Sequence, residues 1–245
     1  ETKLGNRVRL SQKNKNKNIL KSILFLVFIF SPMLLYAQKK QLATARESLK
    51  TGKELVKAEK SMQNLLEDSV NRTNTKIWVM LCDILMKQYE QGNEKLYLKQ
   101  QYDTAAFFSV TKRMYETMAK FDSIDAHLNM PSPVLPKYRE RHAQFLNSIR
   151  PNLFNGGTYF LHVKDYKTAY DYFDNYIKTD KQSLFIGYDY EHKDDLMPHA
   201  AYWAMYCGYK LGDTEKTMRY LNLAERDSSM LNFVRQYEAS AYLMQ

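Results

Sequence analysis

The chain has 245 residues, of which 44% are hydrophobic and 26% charged, with 8 Gly, 6 Pro and 2 Cys. This composition supports a packed core and excludes wholesale disorder. Gly and Pro are too few for a sandwich or barrel of many tight turns. Two Cys exclude a disulfide-stapled scaffold and a four-cysteine zinc site. The net charge of +9 would on its own point to nucleic acid, but its location removes that reading. Residues 1–37 hold seven basic residues (Lys3, Arg7, Arg9, Lys13, Lys15, Lys17, Lys21) and one acid, Glu1. That leaves 29 basic and 26 acidic residues for 38–245, a net of +3.

The leader resembles a secretory signal peptide. A basic, Asn-rich stretch ends at Lys21, and an apolar run follows from Ile23 to Phe30. The run resumes at Met33 after Ser31-Pro32, and small Ala37 marks a cleavage point. From Ile23 to Tyr36 there are 14 residues. As a helix they would reach about 21 Å, short of a hydrocarbon core of about 30 Å. An uncleaved membrane anchor is the alternative. No Cys lies near residue 37, so lipid anchoring through an N-terminal Cys is unsupported. Export would place the protein in the periplasm or cell envelope of a Gram-negative bacterium. Fold reasoning therefore starts at Gln38.

From there the apolar spacing is helical nearly everywhere. Leu55, Ala58, Met62 and Leu65 follow steps of three and four, as do Phe107, Val110, Met114, Met118 and Phe121. The spacing predicts helices over about 39–50 and 53–67, separated by Thr51-Gly52. A third opens at Asn71–Asn74 and runs to about Gln91, where Gly92-Asn93 ends or bends it. A long helix is predicted over 103–126. Three prolines between Pro131 and Pro136 make 129–137 a linker, dividing an N-terminal part (38–128) from a C-terminal part (138–245). Further helices are predicted over 137–149, 152–163, 166–179, 198–211, 213–226 and 231–244. The stretch 181–197 reads as a loop or a poorly formed element. The expected class is all-α, built of antiparallel helix pairs.

A repeat lies within the second half. Gly157 is followed by Phe160 three residues on, by Lys164-Asp165-Tyr166, and by Ala169 and Phe173. This segment, Leu153 to Lys181, resembles a tetratricopeptide repeat, a 34-residue helix-turn-helix unit. The resemblance implies that Gly157 is a small position where two helices approach closely, that 164–166 is the turn, and that Ala169 and Phe173 are the small and large positions of the next helix. A second copy covers 198–231, with Gly212-Asp213 at the turn and Ala224 at a small position. There Met205, Gly208 and Thr217 replace the usual residues. Fainter copies surround Tyr102–Ala105 and Ala58–Met62. The corresponding small positions are 47, 64 and 48 residues apart, so the resemblance implies an irregular solenoid with insertions. An ordinary helical bundle is the alternative. The apolar residues of 231–245 (Leu231, Phe233, Val234, Tyr242) predict that the natural chain continues.

Catalytic constellations are not evident. The five His (127, 142, 162, 192, 199) include no HExxH, and there is no GxSxG, P-loop or GxGxxG. Asp189, Glu191, His192, Asp194 and Asp195 could offer oxygen ligands to Ca²⁺, but without EF-hand spacing they read as a solvated acidic loop. Cys82 and Cys207 lie in apolar helical runs and read as buried thiols, although export would permit a disulfide. No enzyme activity, metal or cofactor is expected.

The surface signal is aromatic. Tyr202, Tyr206 and Tyr209 share one helical face. In the family that Leu153–Lys181 resembles, the first helix of each pair lines a concave groove. The resemblance implies groove positions at Tyr202, Tyr206, Tyr209 and Lys210, and at Phe154, Thr158, Leu161 and His162. With the three tyrosines on one face, Trp203 and Cys207 are expected to turn into the core. The other reading packs these tyrosines against a neighbouring repeat, with their hydroxyls at the rim. The expected function is an exported scaffold that binds another envelope protein or an extended peptide. Nucleic acid is not a partner, and membrane contact would come only through an uncleaved leader. A carbohydrate-binding helical-repeat protein is the alternative.

Overall fold

The computed structural model describes residues 37–128 and 136–243. The predicted leader up to residue 36 and most of the predicted linker lie outside these residues. Among the described residues the secondary structure is entirely helical. The elements are α1 (37–51), α2 (Leu55–Glu67), α3 (Thr75–Tyr97), α4 (Thr104–Leu128), α5 (Arg139–Ile149), α6 (Pro151–His162) and α7 (Tyr166–Lys178). Two 3₁₀ turns follow, Thr179–Lys181 and Ser183–Phe185. Then come α8 (Tyr190–Lys193), α9 (Leu196–Lys210), α10 (Thr214–Met218), α11 (Leu221–Ala224) and α12 (Leu231–Leu243). No described helix is long and apolar enough to cross a membrane.

Local signals account for the helix boundaries. Asn74, Asp103, Asp165 and Asp213 each accept a backbone N–H from the first turn that follows, at 2.9–3.1 Å. Such caps contribute about 1 kcal/mol each. The C-termini of α3, α6 and α9 share one shape. Lys99, Lys164 and Gly212 are left-handed, with φ of 54°, 63° and 66°. The residue after each donates its N–H to the carbonyl five back: Gln100 to Lys95, Asp165 to Phe160, Asp213 to Gly208. The left-handed residue itself bonds three back, to Leu96, Leu161 and Tyr209. These are Schellman ends, and they fall at the turns of three of the repeat copies seen in the sequence.

Helices pack mainly on their near neighbours in sequence: α2 on α3, α3 on α4, α6 on α7, α7 on α9, and α9 on α10, α11 and α12. Close approach relies on glycine. A Cβ on Gly157 would lie 2.7 Å from the Phe173 ring, and one on Gly208 would lie 2.5 Å from the backbone nitrogen of Thr217. In the second unit the tight contact thus falls at Gly208, three residues later than the position of Met205.

The two predicted parts share one hydrophobic core. Phe108 of α4 meets Tyr159 and Tyr172, Tyr89 of α3 meets Phe145, and the Tyr115 hydroxyl donates to the Leu146 carbonyl. Buried polar groups tie the layers together. Glu59 of α2 accepts from Gln88 of α3 at 2.7 Å and from Arg113 of α4 at 2.8 Å. Asp122 of α4 takes a two-pronged contact from Arg139 at 2.8 and 2.7 Å, and the Ser183 hydroxyl at 2.8 Å.

Four expectations change. Helix α3 runs through Gly92 to Tyr97, because Gly92 is buried where Tyr102 and Phe107 leave no room for a Cβ. The helix predicted over 213–226 is broken at Arg219-Tyr220 into α10 and α11. The stretch 181–197 is ordered, with Leu184, Phe185, Tyr190 and Met197 buried. Its organiser is Arg150, at the start of α6 and 5% exposed. The guanidinium lies 3.8 Å from the ring centres of both Tyr176 and Tyr190. It donates to Thr179 Oγ1 at 2.9 Å and pairs with Asp194. Helix α9 also starts two residues earlier than predicted. Pro198 sits in its first turn, where a backbone N–H has no intrahelical partner to lose.

Candidate functional site

Helix α9 presents His199, Tyr202, Trp203, Tyr206 and Tyr209 at steps of three and four. Neighbouring helices extend this face. Phe154 of α6 stacks on His199 at 6.0 Å, and Tyr166 at the start of α7 meets Tyr206 edge-on at 6.0 Å. From α12, Tyr237 contacts Tyr202, Tyr206 and Tyr209 at 6.2, 5.8 and 4.8 Å. Trp203 packs edge-on to Tyr206 at 5.7 Å. The Lys210 ammonium lies 5.3 Å from the Tyr206 ring centre and 5.7 Å from that of Tyr209. One connected aromatic surface therefore spans α6, α9 and α12.

His199 fixes part of this surface. Its Nδ1 is 2.8 Å from Asp227 Oδ2, and Trp203 Nε1 donates to its Nε2 at 3.0 Å. An indole N–H can only donate, so Nε2 is the acceptor and Nδ1–H donates to the carboxylate. Burial opposes ionisation of Asp227, but hydrogen bonds from Ser229 and His199 hold its carboxyl below the usual range. Burial also pushes the Tyr202 hydroxyl up, which keeps it neutral.

The sequence-derived positions divide. Phe154, Tyr202, Tyr206, Tyr209 and Lys210 join the connected surface. Tyr202 is buried at 5% exposure, Tyr206 and Tyr209 are half-buried, and Lys210 is exposed. Thr158 and His162 are exposed and Leu161 is half-buried, further along α6. Trp203 is half-buried within the aromatic face rather than turned into the core. Its place was legible, since it lies four residues after His199 and three before Tyr206. Tyr237 was not, because its role depends on how α12 lies against α9.

The acidic loop uses its carboxylates internally. Asp189 lies 2.6 Å from His192 Nδ1, Glu191 pairs with Lys181 at 2.6 Å, and Asp194 takes Arg150 and the Tyr176 hydroxyl. Among the described residues no three His, Cys, Asp or Glu gather closely enough to hold a metal ion. Cys82 and Cys207 are buried free thiols whose pKa burial raises, that of Cys207 to about 12. The arrangement offers ring faces, ring edges and one cation, a surface suited to contact.

Comparison of the chain with protein-family models, with curated proteins and with solved structures finds no match.

Proposed function

We propose that this protein is an exported, tetratricopeptide-like scaffold that binds another envelope protein or an extended peptide. The contact surface is the aromatic face of α6, α9 and α12. The observation that carries the reading is the half-exposed set Trp203, Tyr206, Tyr209 and Tyr237 on adjacent helices. Tyr and Trp combine a large apolar body with a polar edge and dominate binding hot spots. Gly157 beneath Phe173 and the repeated Schellman corners support a divergent repeat stacked as an irregular solenoid. The basic-then-apolar leader supports export.

The test is in-cell cross-linking and capture of the full-length, signal-bearing protein beside a Trp203→Ala, Tyr206→Ala variant. Both side chains are half-exposed, so the variant should fold. One envelope protein is enriched with the parent and lost with the variant, since two hot-spot truncations weaken binding by about 30-fold or more. Enrichment of nothing by either version refutes the scaffold. A glycan ligand is the second reading, because the same rings can stack on sugars. Glycan binding lost in the same variant would favour it.

A further inference from the structure

A second feature stands apart from the aromatic face. The broken helix at Arg219-Tyr220 opens onto a cleft of about 410 Å³ between α7, α8, α9 and α11, a volume in the range of small-molecule sites. The break has no local cause. Neither Gly nor Pro lies between Thr214 and Ala224, and the helical spacing continues across it. Tertiary contacts hold it open instead. The Tyr220 hydroxyl donates to Asp174 of α7 at 2.6 Å, and Arg226 Nη2 donates to the Glu191 carbonyl of α8 at 2.8 Å.

The walls of the cleft are apolar, with Ile177, Met197 and Leu221 among them, and its rim is cationic. Lys178, Lys181, Arg219 and Arg226 line it against only Asp180 and Glu191. The two lysines are tightly paired, Lys178 with Asp174 at 2.6 Å and Lys181 with Glu191 at 2.6 Å. Neither arginine holds a carboxylate that closely, although Arg226 also donates to the Glu191 carbonyl. Arg219 is 3.9 Å from its nearest carboxylate, Asp174, and Arg226 is 4.0 Å from Glu191. Both belong to the segment around the break and are more than two-fifths exposed. Two guanidiniums with long carboxylate contacts at the mouth of an apolar cleft match a ligand with an anionic head and an apolar body.

We propose that this cleft binds an amphipathic carboxylate, with its chain against Ile177, Met197 and Leu221 and its head between Arg219 and Arg226. The site is independent of the aromatic face. Calorimetric titration of the full chain with decanoate, below its micelle threshold, tests it, with decanol and acetate as the neutral and chainless controls. Decanoate binds saturably at one site, at least ten-fold tighter than either control. In the Arg219→Gln, Arg226→Gln variant its affinity falls at least ten-fold, to that of decanol. The variant gives up the Arg226 bond to the Glu191 carbonyl and melts somewhat lower, so the titration is run where circular dichroism shows the same helical content in variant and parent. Absence of saturable decanoate binding overturns the proposal. So does decanol binding as tight as decanoate, or affinity unchanged in the double variant.

Discussion

Lowering the pH should destabilise this protein through His142. The residue lies on α5, 2% exposed, with its ring between Phe121 at 5.9 Å and Tyr138 at 6.0 Å. Burial, helped by the charge of Arg141, lowers its pKa to about 4, against the opposing pull of Asp122 and Asp125. In the unfolded chain the imidazole returns to about 6.5. Between these values the unfolded state binds the proton and the folded state does not, so stability rises with pH across that window. Integration gives a loss of about 1 kcal/mol at pH 5.5 and about 3 kcal/mol at pH 4, relative to pH 7. Urea unfolding of the parent and of His142→Phe at pH 7, 5.5 and 4 isolates the effect, because the other titrating groups are common to both. The stability difference between the two proteins should shift toward the variant by those amounts. A difference constant to within about 0.5 kcal/mol would show that His142 titrates as an ordinary exposed histidine.

Other substitutions probe the packing. Gly208→Ala should cost about 2 kcal/mol or more in urea unfolding, because its Cβ meets the backbone of α10 and the helices must separate; a neutral result would remove the close approach. Lys164→Gly should stabilise by up to about 1 kcal/mol, since it relieves a left-handed non-glycine residue at a Schellman corner; a lower melting temperature would contradict that geometry. Arg150→Met should cost about 3 kcal/mol or more by leaving Asp194 without its buried partner. Limited proteolysis should then cut first within 179–195. Cleavage elsewhere would mean that Arg150 does not organise that stretch.

The helices were legible because their apolar residues recur at helical spacing and because Asn74, Asp103, Asp165 and Asp213 cap them. The order of 181–197 was not. Leu184, Phe185 and Tyr190 follow no regular period, and the stretch is fixed by a guanidinium from a helix some forty residues earlier. The break at Arg219-Tyr220 was hidden for the same reason, since its contacts reach α7 and α8. Gly92 misled because a glycine that ends a helix and one that lets aromatic rings approach look alike in sequence. On the aromatic face, spacing within α9 linked Tyr202, Tyr206 and Tyr209. The repeat resemblance supplied Phe154, whereas Tyr166 and Tyr237 emerged only once α7 and α12 were laid beside it.

Arg150 also bears on the order in which the chain can mature during synthesis. Its carboxylate partner, Asp194, is 44 residues later, so the ribosome completes α6 and α7 well before the charge between them can be matched. Until then the junction of α5 and α6 would bury an uncompensated cation, and water competes for it. Helices α5 to α7 therefore wait for the segment that carries Asp194 before their junction can close. A chain halted before residue 194 would leave the exit tunnel with this junction still wet.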